Sequence, residues 1–233
     1  MTEELEKLYL EQLDKIDLHL IEHNSKCRKD NKATNPFLIS VPENYLDFKN
    51  SIMIFGQETN SWCRECGKQS EYSYSLKKSL EIYKTFYING GINKYRGPFW
   101  NEFKRIRREV TKSYNAYFIW NNINKIGRMG KGNVPEIDRL QFQYFNVIKN
   151  EIKILNPKVF IFLTGHDYDH FIKQNIGEFK QQNISDCLYE LQFSGEYAHI
   201  KAYKTFHPNA LYMKSKNKVV ISNLIEVVKK ACI

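Results

Sequence analysis

Apolar residues recur along the chain in two rhythms. Between residues 3 and 23, Leu5, Leu8, Tyr9, Leu13, Ile16 and Leu20 fall at helical spacing, which predicts a helix with one apolar stripe. Three later stretches are apolar without interruption: Ser51 to Phe55, Ala116 to Trp120 and Lys158 to Leu163. Each ends on a polar tip, at Gly56, at Asn121 and at Thr164-Gly165. Continuous runs of this kind suit strands covered on both faces, as in parallel sheets. Helical patterns lie between them. Pro98 to Val110 opens with proline at a first-turn position. Glu136 to Leu155 carries Ile137, Leu140, Tyr144, Ile148 and Ile152 and stops before Asn156-Pro157. Tyr189 to Phe193 and His199 to Phe206 flank Ser194-Gly195-Glu196 as a hairpin, and Lys218 to Ala231 reads as a final helix.

Alternation of strand and helix implies a three-layer α/β/α fold with a central, mainly parallel sheet of about four strands and an N-terminal helix. Neither an internal repeat nor a linker demands a second domain. The expectation is one domain over 1–233, with 1–30 a helical extension and 66–93 an inserted loop and helix. In an open parallel sheet, ligands bind beyond the carboxyl ends of the strands. The tips GQETN, NNINK, TGHDYDH and TFHPNAL are therefore the places to look for chemistry.

Composition narrows the classes. The 233 residues are 42% hydrophobic and contain no apolar run long enough to span a bilayer. The N-terminus is acidic and amphipathic, unlike a secretory signal, so a cytoplasmic protein with no membrane partner is expected. Five cysteines at irregular spacing do not read as a disulfide framework, and the Cys63/Cys66 CxxC lacks a second half. In His166-Asp167-Tyr168-Asp169-His170, a helix start capped by Asp167 is favoured over a metal site. No metal and no cofactor are expected. The formal charge of +9 is clustered: Lys94 to Lys112, then Lys125, Arg128 and Lys131 in a glycine-rich loop, then Lys201 to Lys218. One polyanion-binding face or several solvated faces would both give this distribution.

The polar tips carry a resemblance to the uracil-DNA glycosylase superfamily. Gly56-Gln57-Glu58-Thr59-Asn60 is similar to the family's first motif, G-Q-D-P-Y or G-E-A-P-G. Tyr95-Arg96-Gly97-Pro98-Phe99-Trp100 resembles the F-x-G-P-A-G of one branch, and Trp120-Asn121-Asn122-Ile123-Asn124-Lys125 resembles T-N-A-V-K-C. His207-Pro208-Asn209-Ala210-Leu211 is similar to H-P-S-P-L. The pieces run in family order over residues 50 to 231. Thr59 stands where the family has proline and Asn60 where it has Tyr or Gly, so uracil specificity does not carry over.

The resemblance implies an enzyme that flips a modified or deaminated base from DNA and hydrolyses its N-glycosidic bond. Glu58 takes the water-positioning place and His207 the base-stabilising place. Such a histidine works best neutral, as a donor to the leaving base. Gln57, Asn60 and Asn121 would meet the base edge, and Tyr95, with Tyr74 as runner-up, would stack on it. Leu211 would be the wedge, with Asn209, Lys125, Arg128, Lys131 and Lys214 on phosphates. Two alternatives accompany this reading: an inactive nucleic-acid or nucleobase-binding module of the same fold, and a hydrolase of free nucleosides or nucleotides.

Overall fold

The apolar run that opens the sheet forms β1 (Asn50–Gly56), fully buried from Ile52 to Phe55 in a computed structural model describing residues 1–67, 76–132 and 134–233. The remaining strands are β2 (Ala116–Asn122), β3 (Val159–Leu163), β4 (Phe179–Ser185), β5 (Leu188–Phe193) and β6 (Lys201–Thr205). They form one six-stranded sheet in the order β2-β1-β3-β6-β5-β4. Its centre is parallel, with Ile54 opposite Ile161 across β1 and β3, and Ile161 opposite Tyr203 across β3 and β6. β6-β5 and β5-β4 are antiparallel. The ring of Phe55 lies 4.9 Å from that of Phe162 and nearly parallel to it, locking β1 to β3 through side chains as well as the ladder.

The fold is α/β, as expected, but the sheet has six strands rather than about four. β4 is the strand that hydrophobic pattern could not disclose. It lies at the sheet edge, most of its residues are exposed, and FKQQNIS has no apolar alternation to read.

Eight helices are formed by the described residues: α1 (Thr2–Lys26), α2 (Leu76–Tyr83), α3 (Pro98–Thr111), α4 (Pro135–Tyr144), α5 (Ile148–Leu155), α6 (Asp169–Asn175), α7 (Pro208–Met213) and α8 (Asn217–Ala231). α1 buries the stripe read from the sequence, and Glu3 and Glu4 at its start and His23 and Lys26 at its end complement its dipole. The single helix expected over Glu136 to Leu155 is broken. Phe145 and Val147 between α4 and α5 are both fully buried, and in a continuous helix they would point about 200° apart. No helix among the described residues is long and apolar enough to cross a membrane.

The chain divides into two compact units, each assembled from three separate stretches. The first comprises Met1–Val41, Gln57–Asn89 and Asn122–Leu155. In it, α1 packs on α2, α4 and α5. The second comprises Pro42–Gly56, Gly90–Asn121 and Asn156–Ile233, holds the sheet, and packs α3, α7 and α8 against one another.

At the heart of the first unit lies a buried ion pair. Lys125 Nζ is 2.7 Å from Glu151 Oε1, and both side chains are fully buried. Tyr9 donates its hydroxyl to Glu151 Oε1 at 2.6 Å and accepts the Ile39 N–H at 3.3 Å. Lys125 Nζ is also 4.8 Å from the centre of the Phe37 ring. Burial pulls the Lys125 ammonium below the usual lysine range, and the Glu151 carboxylate opposes that shift. One cation thus ties the loop after β2 to α1, α5 and the segment before Ser40.

Removing one partner leaves the others charged or polar without compensation. Lys125→Ala and Glu151→Ala are each expected to lower stability by about 3–5 kcal/mol in urea titrations. The apolar double variant Lys125→Met/Glu151→Leu is expected to lose less than either single variant. Single variants within about 1 kcal/mol of the parent would contradict the assigned role.

Candidate functional site

In the first unit, the polar tip after β1 is held by the loop that carries Lys125. Asn124 donates its N–H to the Gln57 carbonyl at 3.0 Å, and Ser61 donates its N–H to the Arg128 carbonyl at 3.2 Å. A methyl group on Gly127 would sit 1.8 Å from the Thr59 carbonyl oxygen, so only glycine lets the two segments approach this closely. The loop is fixed in turn from α4, where Gln141 Oε1 accepts the N–H groups of Lys125 and Ile126 at 2.6 and 2.9 Å. Asp138, one turn earlier on α4, lies with Oδ1 3.4 Å from Asn124 Nδ2. Glu58 and Gln57 emerge half-buried from this frame and Asn60 is exposed, whereas the Thr59 hydroxyl oxygen is buried. Asp138 is pushed up to about 7, first by burial and then by the charge of Glu58. The unit therefore places the Asp138 carboxyl of α4 where it feels the charge of Glu58 on the turn that closes β1.

In the second unit, His207 caps α7. Its Nδ1 accepts the Asn209 N–H at 3.2 Å, which leaves the proton of a neutral ring on Nε2. Burial alone pulls its pKa below the ordinary 6.5, so the ring is neutral at pH 7. Phe99, in the first turn of α3, lies 5.8 Å from it at an interplanar angle of 14°. Trp100 follows, packed edge-on to Trp120 of β2 at 4.7 Å. A deeper set of bonds steadies α7: buried Glu102 accepts from Tyr212 Oη at 3.0 Å and from Asn217 Nδ2 at 3.2 Å.

The expected site residues divide between the units. Gln57, Glu58, Asn60, Lys125, Arg128 and Lys131 belong to the first; Tyr95, Asn121, His207, Asn209, Leu211 and Lys214 belong to the second. Tyr95, Asn209 and Lys214 are exposed, and Lys214 Nζ lies 4.3 Å over the Phe206 ring. Lys131 is exposed as well, and Arg128 is spent locally, bonding the Lys131 carbonyl and, at 2.7 Å, Asn31 Oδ1. Tyr74 lies outside the described residues.

Three expectations are corrected by burial. Lys125 cannot hold a phosphate, because its side chain is fully buried against Glu151. Leu211 cannot act as a wedge, because it is fully buried; the most exposed apolar side chain of α7 is Met213, 82% exposed. Asn121 points its Nδ2 at the buried Met53 sulfur, 3.5 Å away, rather than offering it at the strand tip. Asp167 is also not a cap: α6 begins at Asp169, whose carboxylate instead takes the buried Lys204 at 2.5 and 2.7 Å.

Three groups were missed by sequence reasoning. Phe99 lay within a motif already singled out, one residue after its proline. Asn124 likewise lay within the quoted Trp120-to-Lys125 stretch, whereas Asp138 had no such signal, since an acidic residue in a first helical turn is ordinary. The Cys63 and Cys66 thiols are each pushed up to about 12 chiefly by burial, and no cluster of three metal-binding side chains occurs among the described residues.

Gly127→Ala is expected to destabilise the protein by about 1–3 kcal/mol, because the Thr59 carbonyl must give way. Equal urea midpoints for the variant and the parent would refute the close approach. The raised Asp138 pKa has a defined sign in stability. The native state holds this proton more tightly than the unfolded chain, so stability falls as pH rises from about 4 to about 7 and the loss then levels off. The Tm advantage of Asp138→Asn over the parent should therefore grow between pH 5 and pH 8, and a constant difference would contradict the assignment.

No protein-family model matches the chain, and no curated protein matches it.

Proposed function

We propose that the chain is a hydrolase of N-glycosidic bonds, acting on a modified or deaminated base in DNA. One observation carries this reading: His207 is fixed as a neutral donor at Nε2, with an aromatic ring parallel to its own. When the bond between base and sugar breaks, its electron pair leaves on the base. A neutral N–H directed at a base carbonyl stabilises the growing anion without first having to lose a proton. In this reading, water adds to the anomeric carbon, and Glu58 orients it and takes its proton. The order of the motifs from Gly56 to Leu211 supports these roles. Exposed Lys131, Lys214 and Asn209 are the phosphate contacts in this proposal.

A second reading, hydrolysis of free nucleosides or nucleotides, is favoured by one specific observation. Lys125 and Leu211, the cation and wedge expected to engage a duplex, are both fully buried.

The test is release of base from duplexes carrying uracil, hypoxanthine, xanthine or mismatched bases, run beside the matching free nucleosides. Glu58→Gln and His207→Ala are each expected to lower release at least tenfold, about 1.4 kcal/mol in barrier. Unchanged rates in both variants would refute the mechanism. Release from nucleosides alone, with no salt-sensitive DNA complex, would decide for the second reading. Salt-sensitive DNA binding with no abasic product would mean a binding module instead.

A further inference from the structure

Asn124 is fully buried, and its side-chain oxygen has no hydrogen-bond partner among the described residues, while its Nδ2 makes only a long, 3.4 Å approach to Asp138 Oδ1. A buried amide oxygen without a donor is costly. Turning the amide end for end, which changes its shape little, brings the oxygen onto Asp138. It then needs a donor there, and a protonated Asp138 is one. Asn124 is also the residue whose backbone N–H holds the Gln57 carbonyl, immediately before Glu58. The geometry thus links the Asp138 proton, through a single asparagine, to the turn that presents Glu58.

We propose that Asp138 is a positioning residue: it carries a proton shared with Asn124 at neutral pH and leaves Glu58 as the single ionised carboxylate of the pair. The proposal deepens the hydrolase reading and rests on it for the role of Glu58. The surrounding charges fit. Of the other charged groups on or against α4, Arg139 is paired with Glu136 at 2.6 Å, and His23 and Lys26 of α1 act on Glu136. Lys125 is committed to Glu151, and His19 of α1 stacks on Tyr144 at the far end of α4. Glu58 is the charged neighbour that bears on Asp138, and it favours the protonated form. When Asp138 ionises, its charge and that of Glu58 repel, the Asn124 oxygen loses its donor, and the support of the turn is weakened.

Two measurements on the full chain test this. In the first, ¹³C-carboxyl NMR follows Asp138 in the parent and in Glu58→Gln. Titration of Asp138 above pH 6 in the parent, shifted downward in Glu58→Gln, is expected; titration near 4 in the parent would overturn the proposal. This readout does not depend on any activity. If Asp138 titrates as expected but no substrate is cleaved, the carboxyl pair stands and the hydrolase reading fails. In the second, the pH profile of base release is compared in Asp138→Ala and Asp138→Asn. Asp138→Ala should lose at least tenfold at pH 6. Asp138→Asn, which keeps a donor but cannot ionise, should recover most of that loss, and its profile should lack the parent's fall near pH 7. Equal losses in the two variants, or an inflection near pH 7 that persists in Asp138→Asn, would overturn the proposal.

Discussion

The first unit depends on one desolvated cation. Lys125 is fully buried, so its charge depends on Glu151, which Tyr9 holds in place. That requirement brings α1, α5 and the loop after β2 to one point. With Lys125 anchored, its neighbours Asn124, Ile126 and Gly127 have fixed positions, and the turn carrying Glu58 has a surface to lie against. A buried pair of this kind adds little net stability compared with a hydrophobic substitute. What it supplies here is a fixed register between the loop and the helices.

Burial also governs the ionisation states that matter for chemistry. His207 and Asp138 are pulled in opposite directions on the pH scale by one cause, since desolvation penalises whichever form is charged. The histidine stays neutral and gains a defined tautomer from its capping bond. The aspartic acid tends to keep its proton, and the neighbouring Glu58 adds to that tendency. Neither effect needs a metal or a strong ion pair. Each follows from partly burying a titratable side chain at the start of a helix, His207 as the cap of α7 and Asp138 in the first turn of α4.

Much of the sheet was legible because its central strands are apolar on both faces, and such runs leave no ambiguity between β1 and β3. β4 was not legible, because an exposed edge strand has no apolar face to reveal. The break between α4 and α5 was hidden for a different reason: Ile137, Leu140, Tyr144, Ile148 and Ile152 keep helical spacing straight through it, and that stripe does not register the burial of Phe145 and Val147. Glu58 and His207, one in each unit, were readable as candidates because each lies two residues past a strand end. Lys125 misled, since a lysine in a glycine-rich basic loop looks like surface until its partner on α5 is known. Asp138 depends on a contact with a distant turn, and local sequence holds no trace of that.

The proposed hydrolysis turns on the state of one imidazole. ¹⁵N NMR of the His207 ring at pH 7 measures it directly. A neutral ring with its proton on Nε2 and a bare Nδ1 is the predicted result. An imidazolium, or a proton on Nδ1, would contradict it.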